Sequence, residues 1–98
     1  SNPHGENSMT TTILVPASLA EVLGVRETTT SVSTVGEALR SLVAGNPAAQ
    51  RRLFDTNDNV NRFINVYVDG QDVRSLQGQD SSLHGVALLE LVSAIAGG

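Results

Sequence analysis

The chain has 98 residues, enough for one domain. Its net charge is −4, which argues against nucleic acid as a partner. It has no cysteine, so disulfides, thiolate-bound metals and a thiol nucleophile are excluded. No apolar run reaches the roughly 18 residues needed to cross a bilayer, and no secretory signal is visible. The expectation is a cytoplasmic protein with no membrane partner.

Residues 1–8, "SNPHGENS", precede Met9. They are polar and aperiodic, and are read as an expression-tag remnant, disordered and dispensable. The folded domain is expected over 9–95. "TTILV" is β-branched and apolar up to Val15, and Pro16 punctuates it; this predicts an opening strand. "SLAEVLGV" has Leu19, Val22 and Leu23 at helical spacing but stops at Gly24, giving a turn of helix or a packed loop. "RETTTSVST" predicts a second strand, hairpin-paired with the first across that long connection.

The clearest helix is "TVGEALRSLVAGNP". Thr34 and Glu37 have capping-box spacing. Val35, Ala38, Leu39, Leu42 and Val43 make one apolar face, Gly45 stands where a C-terminal cap belongs, and Pro47 follows as a stop. "PAAQRRLF" predicts one more short turn of helix, and "DTNDNVN" a polar loop with Asx turns. "RFINVYV" predicts a strand, Asp69-Gly70 a tight hairpin turn, and Asp72-Val73-Arg74 the start of a return strand. "SLQGQDSSLHGVA" is irregular, punctuated by Gly78 and Gly85. "LLELVSAI" is a nearly continuous apolar run, which suits a central strand.

The order is two strands, a helix and three strands. An α+β β-grasp (ubiquitin-like) fold accommodates it, with a mixed sheet of four to five strands and one main helix; ferredoxin-like and other small α+β folds also fit.

Few side chains offer chemistry. His84 is the one histidine outside residues 1–8, too little for a metal site and the only candidate base for a serine nucleophile, which would also need an orienting group. Asp55, Asp58, Asp69 and Asp72 lack calcium-loop spacing. Arg51-Arg52 is a small basic spot on a solvated surface. There is no glycine-rich phosphate loop. All six basic side chains are arginine, so no side-chain amine is available to attack an activated acyl group on the same chain.

The last residues, "AIAGG", follow the final strand. Together with "RFINVYVDGQDVR" (Arg62 to Arg74), they resemble the sulfur-carrier branch of the ubiquitin-like proteins, the MoaD/ThiS family, and within it the CysO-type carriers. The match covers Met9 to the end in layout and is specific in the last third. Two positions depart from the family pattern: "HGVA" stands where relatives have an Asp-Gly-Asp turn, and Ser93 where they often have proline.

The resemblance implies a non-enzymatic carrier. An adenylating, ubiquitin-activating-type enzyme uses ATP to activate the carboxylate of Gly98, and a sulfur donor converts it to a thiocarboxylate. Gly97 and Ala96 belong to a flexible tail, 96–98, that threads the partner's active site. Three extended residues reach about 10 Å, and glycine adopts backbone angles closed to other residues. The carrier itself is expected to bind no cofactor or metal. The CysO likeness implies cysteine biosynthesis, with a pyridoxal-phosphate (PLP)-dependent cysteine synthase as sulfur acceptor and a JAMM-type metalloprotease that releases the product. Sulfur donation for molybdopterin, thiamine or thio-sugar biosynthesis, a ubiquitin-like protein modifier, and a plain interaction domain remain as alternatives.

Overall fold

The computed structural model describes residues 10–94. The expectations for residues 1–8 and for Ala96, Gly97 and Gly98 lie outside the described residues. β1 (Thr11–Leu14) runs through Val15 and Pro16 into α1 (Ala17–Leu23). α1 is a full seven-residue helix rather than a single turn. Leu19 packs it into the core, and Gly24 ends it in the left-handed region (φ 81°), donating its N–H to the Ala20 carbonyl. β2 (Glu27–Thr30) then pairs antiparallel with β1.

α2 (Val35–Val43) is capped as its sequence predicts. The Thr34 hydroxyl accepts from the Glu37 N–H at 3.2 Å, and Glu37 Oε1 accepts from the Thr34 N–H at 3.1 Å. Pro47 does not merely stop this helix. With Asn46 as N-cap, it opens a further helix, α3 (Pro47–Leu53), because proline at the first helical position forfeits only an N–H that has no helical partner. The Asn46 amide also donates to the Val22 carbonyl at 2.9 Å, tying α3 to the end of α1.

β3 (Ile64–Val68), the Asp69-Gly70 turn and β4 (Gln71–Asp72) form a tight hairpin. Both turn residues have positive φ, 47° and 87°, the geometry that matches strand twist in two-residue hairpins. Short 3₁₀ turns at Val73–Ser75 and Gly78–Asp80 lead to β5 (Leu88–Ser93). The five strands stand in the order β2-β1-β5-β3-β4. β5 is parallel to β1 and antiparallel to β3, so the expected central strand is central. This is the β-grasp layout.

All three helices cover one face of the sheet. Leu19, Leu39 and Leu53 join Ile13, Val66, Leu89 and Leu91 in a single buried cluster. The buried Thr11 hydroxyl is satisfied by the Val86 carbonyl at 2.8 Å, so the core carries no orphaned polar group there. Among the described residues, no helix lies over the other face of the sheet.

Candidate functional site

The sheet fixes the point from which the C-terminal residues follow. β5 is paired with β1 over Leu88–Glu90 and with β3 over Leu89–Ser93, and just after it the Ala94 N–H donates to the Phe63 carbonyl at 2.8 Å. The start of β5 is pinned as well. Asp69 accepts from the N–H groups of Ala87 (3.2 Å) and Leu88 (2.9 Å), while its own N–H donates to the Leu88 carbonyl at 2.8 Å. The turn residue that shapes the β3–β4 hairpin thus also sets where β5 begins.

Phe63 falls just before β3 rather than inside it, and is held by Asn61. The Asn61 side chain accepts from the Phe63 N–H at 3.0 Å, and its carbonyl accepts from the Ile64 N–H at 2.9 Å. Asn61 in turn donates its N–H to the Leu53 carbonyl at 2.7 Å, at the end of α3. The helix layer and the strand end are therefore linked at this corner. The Arg62 guanidinium lies 5.0 Å from the centroid of the Phe63 ring, within cation–π range.

Register places one row of side chains across all five strands of the open face: Glu27, Leu14, Glu90, Tyr67 and Asp72. Two residues further along β5, Val92 stands opposite Asn65 and is 37% exposed. A shallow depression of about 340 Å³ lies at this end of the sheet, lined by Leu14, Pro16, Arg26, Glu27, Glu90 and Val92 among others. At the far end of the row, hydrogen bonds from Arg74 hold the Asp72 carboxyl below its ordinary range, and the same contact raises the Arg74 guanidinium.

Among the described residues this corner offers backbone hydrogen bonds, an exposed aromatic ring and a guanidinium. Of the sequence-predicted site residues, Ala96, Gly97 and Gly98 lie outside the described region, and Ala94, four residues before Gly98, is placed at the corner. His84 is exposed on a loop, its N–H bonded to the Ser82 hydroxyl at 3.0 Å. Among the described residues, no group of three or more His, Asp or Glu side chains is placed to hold a metal ion, and no helix is long and apolar enough to cross a membrane. Phe63, Val92 and the cross-strand row escape sequence reasoning, because exposure and register are tertiary facts. The sole local signal is an aromatic at the edge of a strand pattern.

The ThiS family model matches residues 13–98. Among solved structures, the chain is similar to CysO in the Amycolatopsis orientalis BexX/CysO complex, at 29% identity and a TM-score of 0.75, covering 90% of this chain and 99% of that one. It is similar to Mycobacterium tuberculosis CysO at 25% identity and a TM-score of 0.75, covering 87% and 99%. It is also similar to the small archaeal modifier protein 1 of H. volcanii, at 30% identity and a TM-score of 0.69, covering 88% and 98%. Among curated proteins, none matches.

Proposed function

The chain belongs to the ThiS family of ubiquitin-like sulfur carriers and modifiers, and we propose that it carries sulfur as a thiocarboxylate on Gly98 for cysteine synthesis. The observation that carries this reading is the pairing of a sulfur-carrier domain with a Gly97-Gly98 sequence that follows closely on the corner where Ala94 meets Phe63. A carboxylate is a poor electrophile. Adenylation by an ATP-using partner supplies a leaving group, and a sulfur nucleophile then gives the thiocarboxylate. Without a Cβ on Gly97 or Gly98, the carbonyl is unhindered and the stem narrow.

The likeness to two CysO structures, at 25% and 29% identity, supports cysteine synthesis as the sink. In that reading a PLP-dependent cysteine synthase accepts the sulfur, and a JAMM-type metalloprotease frees the cysteine from Gly98. One of these two CysO structures is a complex with BexX, which supports a carrier that works by docking. The test is to incubate thiocarboxylated carrier with such a synthase and its amino-acid substrate. Cysteine retained covalently on Gly98 is the expected product. Sulfur lost with no amino acid retained would overturn cysteine synthesis and direct attention to molybdopterin, thiamine or thio-sugar acceptors.

The likeness to an archaeal modifier protein favours one second reading, transfer of Gly98 to lysines of target proteins. A ladder of conjugates in cell extract, in place of a single thiocarboxylate species, would establish it.

A further inference from the structure

The β4 side of β3 is only partly closed. β4 pairs with Tyr67 and Val68 alone, so among the described residues no strand covers β3 from Ile64 to Val66 on that side. An uncovered edge offers main-chain N–H and C=O groups to an extended segment. A cavity of about 410 Å³ opens there, within the size range of small-ligand sites. Its apolar lining is Val35, Ile64, Val66 and Val73, all members of the buried cluster on the helix side of the sheet. Its exposed polar lining includes Arg62 and Arg74. One carboxylate, Asp72, also borders it, and Arg74 binds that group through Nε and Nη2. A guanidinium has further donors to offer. Among the described residues no ion pair engages Arg62; the pairs found there are Arg52 with Glu21 and Arg74 with Asp72.

Such a site suits a short extended segment that is apolar along its length and negative at its end. The chain carries one, Ile95-Ala96-Gly97-Gly98. That segment starts beside the cavity. It follows Ala94, whose N–H donates to the Phe63 carbonyl, and Phe63 adjoins Arg62 on the cavity wall. Four extended residues reach about 13 Å, against about 4.8 Å to cross one strand. Glycine, with no Cβ, allows close approach to the exposed strand edge. Tethering also favours this occupant over a free ligand. It presents the segment at about millimolar effective concentration, which a free carboxylate of equal affinity would have to match.

We propose that this cavity is a resting berth for the chain's own last residues: Ala96 lies against the valines of its lining, and the Gly98 carboxylate faces Arg62 and Arg74. This rests on Gly98 as the chain end, as the thiocarboxylate reading does. A chain end held in the berth is withheld from other proteins. The apparent affinity of any enzyme that takes it then falls in proportion to the fraction left free.

The experiment uses the 98-residue chain alone, without ATP or a partner, and reads nuclear Overhauser contacts between methyl groups by NMR. Contacts from the Ala96 methyl to the methyls of Val66 or Val73 are expected. Arg62→Gln with Arg74→Gln is expected to lose at least half of their intensity at an unchanged melting temperature. Ending the chain at Ile95 is expected to shift the amide signals of Val73 and Gly78, which border the cavity. No Ala96 contact in the parent, with those amides unmoved by the truncation, would overturn the berth. Full intensity in the folded double variant would overturn the carboxylate–arginine contact. Contacts that appear only between differently labelled copies would assign the cavity to the tail of a second chain and overturn the proposal in this form. Failure to form a thiocarboxylate with an activating enzyme leaves all of these readings unchanged, so it refutes the sulfur-carrier reading and not the berth.

Discussion

The two faces of the sheet are made by the same strands and differ in every physical respect that matters. Residues of β1, β3 and β5 that point toward the helices, such as Ile13, Val66, Leu89 and Leu91, are nearly inaccessible. Their alternates, Leu14, Tyr67, Glu90 and Val92, are half-buried or exposed, and the row that the first three share with Glu27 and Asp72 mixes apolar and acidic groups. The covered face carries the buried cluster that holds the domain together. Among the described residues, the open face carries no such cluster. A period of two along a strand lets one short segment serve both ends.

The largest expected effect comes from breaking the covered face. Leu39 is 0% exposed at the centre of the helix that spans the sheet, so Leu39→Ala should cost about 2–5 kcal/mol. Urea unfolding that shows less than about 1 kcal/mol would mean the site collapses without a cavity and the core is not organised around α2. Thr34→Ala is the next largest. It removes the hydroxyl that accepts from the Glu37 N–H and should cost about 1 kcal/mol, seen as a lower urea midpoint with unchanged slope.

Val92→Thr sharpens the contrast from the other side. Val92 is 37% exposed, and threonine keeps the β-branch that strands favour. Stability should change by no more than about 0.5 kcal/mol, seen as an almost unchanged urea midpoint. A large stability loss would show that the open face is part of the core.

Asp72→Asn should have the smallest effect. The Asp72–Arg74 pair lies at the surface, where ion pairs contribute little. Its sign is still defined. The folded pKa of Asp72 lies below its unfolded value, so the contribution is present above about pH 4 and fades as pH falls through the folded pKa. The variant should match the parent's melting temperature below that range and fall slightly under it at neutral pH. A deficit that grows on acidification would contradict the assignment.

What the sequence makes legible is what is local. The Thr34–Glu37 box lies within one helical turn, and the Asp69-Gly70 turn within two residues, so their chemistry is written in adjacent letters. The continuous apolar run of β5 announces its central place. α1 and α3 are larger than their sequences suggest: at seven residues each they show barely two turns of periodicity, and their entry prolines read as stops. The second role of Asp69 is invisible in the sequence, because its partners Ala87 and Leu88 lie 18 and 19 residues away. The same holds for the row from Glu27 to Asp72, which exists only once the register of all five strands is set. The diglycine can be recognised by its likeness to a family, while the corner that precedes it depends on Phe63 meeting Ala94 across the sheet.

If Gly98 carries the sulfur, as proposed, the folded domain and the reacting group are separable. The most direct measurement is intact-mass spectrometry after incubation with ATP, the cognate activating enzyme and a sulfide source. It compares the parent with a chain lacking Gly98 and with one carrying an added residue after it. The parent should gain about 16 Da, the difference between sulfur and oxygen, while both variants keep the parent's melting temperature and gain no such mass. A variant that gains that mass as readily as the parent would contradict the account.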